Sequence, residues 1–225
     1  MRQAFNSLPL FSALDVDAIE TIMSTAYEKR RWRDQAIFCE GEPVRQIFLL
    51  QSGSVKLTQT RANGNQVILR LLSRGDIVGR VFGRDGRQCC TAWAVESSAL
   101  LLWDADVFES LLREFPAFHR STMNAVEEQL LEMEQKFWGA AQCIESRLSS
   151  ELLRSARKFE LENRKKERRI VLSHLELAQL TGISTATISH LLREWQIQGI
   201  LAIQRGAVAV RNLDALSRIA ERDEF

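Results

Sequence analysis

The chain has 225 residues, 45% of them hydrophobic and 26% charged, with a formal net charge of +1. That length holds one large domain or two smaller ones, and that composition supports a packed core and excludes wholesale disorder. No run approaches the roughly 20 apolar residues of a membrane span, the opening MRQAFNSLPLFSAL lacks the apolar stretch of a signal peptide, and four cysteines are too few for a disulfide scaffold.

A reducing cytoplasm is therefore the expected compartment, with the cysteines as thiols. The charge is uneven. Residues 1–143 hold 16 Lys/Arg against 18 Asp/Glu, net −2, while residues 144–225 hold 14 against 11, net +3. The second part is the better candidate for meeting a polyanion.

In chain order, residues 12–24 read as a short helix. Ser12 or Asp15 can cap it, and Leu14, Ala18, Ile19 and Ile22 form its apolar stripe. From about 30 to 103 short apolar runs recur (AIF, QIFLLQ, SVKLTQT, QVILRLL, DIVG, TAWAVE, ALLLW), with glycines between many of them. Asn63-Gly64 suits a hairpin turn. Many short strands at regular spacing predict a β sandwich, roll or barrel. DADVFESLLREFP then reads as a helix stopped by Pro116.

From 117 to about 142 His119, Met123, Val126, Leu130, Met133, Phe137, Ala140 and Ile144 alternate steps of four and three. This a/d seam predicts pairing with a twin helix. Leu131 and Trp138 make a second strip, expected to cover the β domain. A further helix follows at about 145–160. ENRKKERR, 162–169, with Arg164, Lys165, Lys166, Arg168 and Arg169, is expected as a solvated loop or hairpin.

Residues 173–195 carry a tighter logic. Ser173 and Glu176 have capping-box spacing. Leu177, Ala178 and Leu180 follow, Ala178 being small enough for a close helix crossing. Gly182 supplies a turn, Ser184 caps the next helix, and Ile188, Leu191, Leu192 and Trp195 give it one buried face. That leaves Thr185, Ala186, Ser189, His190 and Arg193 outward. In a helix-turn-helix the second helix enters the major groove N-terminus first. Small hydroxyls, an Ala methyl and an imidazole there can meet base edges closely. The predicted base readers are Thr185, Ala186, Ser189 and His190; the predicted phosphate contacts are Ser173, His174, Thr187, Arg193 and Arg205. GILAIQRGAVAVRNL, 199–213, reads as two strands turning at Arg205-Gly206, a wing beside the recognition helix.

A glycine-punctuated roll, a heptad helix and a winged helix-turn-helix, in that order, resemble the Crp/Fnr superfamily of transcription regulators over nearly the whole chain. GEPVRQIFLLQSGSVKLTQTRANGNQVILRLLSRGDIVG resembles the family's roll closely. The resemblance implies an α+β chain in three parts. These are a cyclic-nucleotide-binding-like β-roll (jelly roll) at 1–115, a long dimerisation helix with hinge at 116–143, and a winged helix-turn-helix at 144–225. It also implies a homodimer on a two-fold symmetric double-stranded DNA operator, RNA polymerase as a further partner, and no enzymatic activity. The dimer seam is expected at Met123, Val126, Leu130, Met133 and Phe137.

The resemblance also locates departures. In the cassette GDIVGRVFGRDGRQCCTAWA, Arg80 stands where cyclic-AMP-binding relatives have a ribose-binding Glu. Cys90 and Thr91 stand where they have Arg-Ser or Arg-Thr, and Glu132 and Met133 take the long-helix positions that meet the base. Losing that Arg removes a charge-assisted phosphate contact, so cyclic AMP is not expected as a strong ligand. The effector-pocket candidates are Gly79, Arg80, Val81, Cys90, Thr91, Glu132 and Met133, with Arg80, Arg84 and Arg87 available to another anion. An Fe–S cluster is not expected, because no Cys precedes Cys39 and Cys39, Cys89, Cys90 and Cys143 lack C-x2-C spacing. Haem stays open without a motif to support it. Cys89 and Cys90 are the redox candidates, which needs an exposed thiol of lowered pKa. Ala186 and His190 replace a Glu and an Arg of many relatives, so familiar operators do not carry over. A cupin-like metalloenzyme competes on the roll alone, but His119, His174 and His190 all lie outside the β region and no metal is expected. An adaptor using only the seam is the third reading.

Overall fold

The computed structural model describes residues 8–61, 64–81, 86–139, 143–160, 168–204 and 206–221, apart from the side chains of 136–139, 159–160 and 168–169. The chain divides into two compact units, Met1–Leu57 with Leu72–Met133, and Thr58–Leu71 with Glu134–Phe225.

A single 3-10 turn, Pro9–Phe11, precedes α1 (Val16–Ser24). Then come β1 (Tyr27–Arg31), β2 (Ala36–Phe38), β3 (Gln46–Ser52), β4 (Val55–Thr60), β5 (Gln66–Leu72), β6 (Ile77–Val78), β7 (Thr91–Ala94), β8 (Ser98–Asp104), α2 (Ala105–Glu114) and α3 (Pro116–Gly139). The strands form two four-stranded sheets, in the orders β1-β8-β3-β6 and β2-β7-β4-β5. This is the β-rich roll the glycine-punctuated runs predict. Asn63 lies outside the described residues, and Gly64 has φ +80°.

Three local expectations need correction. The first helix starts at Val16, not residue 12: the Ser12 hydroxyl closes the 3-10 turn on the Pro9 carbonyl, while Asp15 accepts from Ala18 N–H at 2.8 Å and so caps α1. Charged β1 was not foreseen. It is an edge strand paired with β8 from Tyr27↔Leu102 to Arg31↔Ser98, and an edge tolerates charge because one side meets water. The third concerns α3. Leu131, expected to cover the roll, is exposed, and Trp138's side chain lies outside the description. Phe118 and Thr122 are buried instead, and Ala125 packs on the core. Gln129 then donates to the Ile77 carbonyl at 3.4 Å. Thr122 fits there because its hydroxyl donates to the Phe118 carbonyl at 2.9 Å, leaving only its methyl to pack.

The core of this unit runs through aromatic rings. Phe11 stacks on Phe118 at 6.0 Å, Phe118 meets Phe108 edge-on at 5.3 Å, and Phe108 meets Trp103 at 5.8 Å. Trp103 Nε1–H donates to the Ile22 carbonyl at 3.0 Å, tying α1 to β8. One ring from each of four segments meets here, so truncating Phe118 to Ala costs about 3–5 kcal/mol.

The second unit holds α4 (Ile144–Glu160), β9 (Arg168–Ile170), α5 (His174–Thr181), α6 (Thr185–Ile197), β10 (Leu201–Gln204), β11 (Ala207–Val210) and α7 (Leu213–Ala220). The wing is a three-stranded sheet in the order β10-β11-β9, one strand more than expected. Arg168 and Arg169, expected in a solvated loop or hairpin, belong to β9, because Ile170 pairs with Val208 and is fully buried. Residues 161–167 lie outside the described residues, with Arg164, Lys165 and Lys166 among them. Helix α7, also unforeseen, is capped by Asn212, which accepts from Ala215 N–H at 3.0 Å, and it packs on α4. Among the described residues no helix is long and apolar enough to cross a membrane.

Candidate nucleic-acid interface and effector cassette

Helix α5 begins with the full reciprocal box. Ser173 Oγ accepts from Glu176 N–H at 3.2 Å and donates to Glu176 Oε2 at 2.8 Å, while Ser173 N–H donates to the same oxygen at 2.9 Å. Glu176 is buried, and its carboxylate helps satisfy this start. The helix ends at Gly182, whose φ of +73° is a left-handed conformation that a side chain would strain by about 1–2 kcal/mol. Ser184 then caps α6, accepting from Thr187 N–H at 3.1 Å. Ile188, Leu191, Leu192 and Trp195 are buried. Every one of these features follows the sequence reading.

The opposite face of α6 is open. Thr185, Ala186, His190 and Arg193 are exposed, and Ser189 is half-buried. The open row begins at a capped N-terminus, where the first four N–H groups have no intrahelical acceptor. Three expected contacts have prior commitments. Ser173's hydroxyl serves the capping box, Thr187 Oγ1 lies 2.8 Å from Ser184 Oγ, and His174 Nδ1 lies 2.9 Å from Ser189 Oγ. Arg205, expected at the turn of the wing, lies outside the described residues; its neighbour Gly206 has φ +69°.

The cassette of the roll is built differently. Gly79 has φ +90°, and a Cβ on it would fall 2.6 Å from Phe38 Cζ and 2.9 Å from Gln88 Oε1. Gln88 is buried, and its Oε1 accepts from Arg80 N–H at 3.3 Å. The Arg80 guanidinium donates to the Arg87 carbonyl at 3.4 Å, and Arg87's donates to the Gly41 carbonyl at 2.7 Å. Thr91 Oγ1 accepts from Glu40 N–H at 3.0 Å, and Cys90 is buried. Val81, offered as pocket lining, packs on the core cluster. Arg84 lies outside the described residues. On α3, Glu132 is half-buried and Met133 exposed.

Gln88 was missed in the sequence, and the burial pattern is what places it. Gln88, Cys90, Ala92 and Ala94 are all buried while Cys89, Thr91 and Trp93 are not. That two-residue alternation makes Gln88 an inward position. The cassette does not fit a cyclic nucleotide by the contacts the resemblance implies. A buried thiol stands where the phosphate-binding guanidinium belongs, and the hydroxyl and first backbone N–H of the cassette already hold protein partners.

The described seam side chains of α3 are exposed or half-buried. Met123, Leu130 and Met133 are exposed and Val126 is half-buried; Phe137's side chain and Ala140 lie outside the described residues. His119 is exposed. None of the four cysteines is in a disulfide; Cys39, Cys89 and Cys143 are exposed, Cys90 buried. Loss of hydration and then the Glu42 carboxylate beside it push the Cys39 thiol up from its ordinary pKa.

Known proteins share this arrangement. The sequence matches the model of the cyclic nucleotide-binding domain over residues 29–115 and that of the Crp-like helix-turn-helix domain over residues 146–219. It is 28% identical to the cyclic AMP receptor protein of Thermus thermophilus, over 94% of this chain and 96% of that protein. It is 22% identical to the fumarate and nitrate reduction regulatory protein of Escherichia coli, over 92% and 82%. The fold is that of FixK2 from Bradyrhizobium japonicum, with a TM-score of 0.75 at 19% identity over 86% of this chain and 96% of that one. With both domain models in order along the chain, the protein belongs to the Crp/Fnr superfamily and is a DNA-binding transcription regulator of that type.

Proposed function

We propose that the chain works as a homodimer that reads a two-fold symmetric operator with the N-terminal half of α6. Thr185, Ala186, Ser189 and His190 meet base edges, while His174, Arg193 and Arg205 hold phosphates, joined by Ser173, which caps α5, and Thr187, in the first turn of α6. The observation that carries this reading is the open row on α6 lying opposite a fully buried one, behind a side-chain cap. The exposed row Met123, Leu130 and Met133 supports the dimer, since three large apolar groups at heptad spacing exclude water only against a partner.

The same proposal assigns the roll a role without cyclic AMP. Gln88 and Thr91 give protein partners to groups of the family's contact site, and Cys90, in place of its guanidinium, is buried, so control comes from a different effector or from none. Operation in the cytoplasm and contact with RNA polymerase belong to this reading as well.

A labelled promoter fragment from upstream of the protein's own operon tests it. A dimer making about six phosphate contacts loses on the order of a thousandfold in affinity between roughly 50 and 200 mM salt. Binding of that steepness, unaffected by added cyclic AMP, is the expected result. Salt-independent or sequence-blind binding counts against the operator reading. Native mass spectrometry with an absorption spectrum of fresh protein reports the subunit number and any bound effector, haem or cluster.

A further inference from the structure

A polar contact joins the two helices of the helix-turn-helix. His174, the first residue of α5, places Nδ1 2.9 Å from Ser189 Oγ in the second turn of α6. Ser189 follows Thr185 and precedes Arg193 by four residues each, so it shares their row on α6. Both partners are half-buried.

A serine hydroxyl on its own is an ambiguous reader: it rotates, and it donates to or accepts from a base edge. The imidazole removes that freedom. With its hydrogen on Nε2 alone, Nδ1 accepts, so Ser189 donates inward and offers lone pairs to the groove, matching the amino group of adenine or cytosine. With both nitrogens protonated, Nδ1 donates, and the Ser189 hydrogen turns outward to a purine N7, a guanine O6 or a thymine O4. Either form gives the hydroxyl one sense, and Nε2 remains for the phosphate contact proposed above.

Resting on the assignment of α6 as the DNA reader, the geometry points to His174 as a positioning residue for specificity. It fixes the donor–acceptor sense of Ser189 and so sets which base pair the second turn of α6 selects. A residue that merely fastened α5 to α6 would weaken binding to every sequence alike, so base preference separates the two roles.

The test uses the full-length protein. Operators are selected from a randomised duplex library, and Kd is then measured for the selected operator and its single-base-pair variants. H174A and S189A should each lose roughly tenfold of discrimination at the same base pair of each half-site, with preference elsewhere retained. The double variant should lose no more at that pair. H174N, whose amide sits near the place of Nδ1, should keep most of it. The inference is overturned if H174A discriminates like the parent at the pair S189A affects, if it lowers affinity evenly across all duplexes, or if S189A changes no preference. A parent protein that selects no sequence at all refutes the DNA-reading assignment itself, and this inference with it.

Discussion

Two regions of this chain handle polar side chains in opposite ways. In the helix-turn-helix, Ser173, Glu176, Ser184 and Thr187 are committed to helix starts, and Thr185, Ala186, His190 and Arg193 are left open to solvent. In the cassette of the roll, Arg80, Arg87, Gln88 and Thr91 are turned onto the protein's own backbone. Both patterns satisfy the backbone, as buried polar groups must be satisfied. What differs is the remainder. A surface that keeps small and imidazole groups free after capping is ready for a large rigid partner. A cassette whose groups already bond to the backbone leaves fewer donors for a small anion than a row kept open.

The first way to break this contrast is to separate the two copies. In the proposed dimer, the open row of α6 reads an operator only when its twin lies about one DNA turn away. On the proposed seam, L130D with M133D places two charges where two exposed apolar groups now stand. Burying unpaired carboxylates costs several kcal/mol, so dimer affinity should fall by more than about a hundredfold and operator binding with it. Sedimentation equilibrium checks the first and the labelled promoter the second. An undiminished dimer places the contact elsewhere on the chain.

A pair of glycine variants sharpens the contrast next. Gly79 and Gly182 both have positive φ, at +90° and +73°. Around Gly182 nothing lies within 4 Å of a built Cβ, whereas at Gly79 the Phe38 ring and Gln88 are in collision range. G182A therefore carries the left-handed strain alone, about 1–2 kcal/mol. G79A adds overpacking of roughly 1–3 kcal/mol and should also disturb the Gln88 contact. Urea denaturation should rank G79A as the more damaging. Equal losses would mean that Phe38 and Gln88 yield freely, and that the cassette is looser than its hydrogen bonds imply.

How much was legible in the sequence follows the same division. The helix-turn-helix could be read because each of its signals is local: a capping box spans four residues, a left-handed glycine one, and the buried row two turns. The long-range features were harder. Arg168 and Arg169 look like a solvated run until Ile170 pairs with Val208, a partner 38 positions away that no local pattern names. Helix α3 was half legible. Its outward apolar seam has the heptad period, but its roll-facing row includes Thr122 and Gln129, whose fit depends on carbonyls at Phe118 and Ile77. Polar residues that satisfy themselves inside a packed face are invisible to a hydrophobic pattern. The pairing of His174 with Ser189 was missed for a related reason, since each residue was read as facing DNA alone.

The smallest expected effect concerns the thiols of the roll. A redox-responsive cysteine needs an accessible thiolate. Cys39 is exposed, but loss of hydration, the charge of Glu42 and a hydrogen bond to it all raise its pKa. The folded state thus favours the neutral thiol, and alkylation of Cys39 by iodoacetamide should climb only at a pH above that of an ordinary cysteine. E42Q removes the charge but not the loss of hydration, which is the larger cause. The rate near neutral pH should therefore rise by only about twofold, read site by site from peptide masses after a timed quench. An unchanged rate in E42Q would leave hydration as the sole control. A Cys39 that already reacts faster than free cysteine in the parent would reverse the sign of the argument and make this edge of the roll, rather than Cys89 and Cys90, the place to look for an oxidant response.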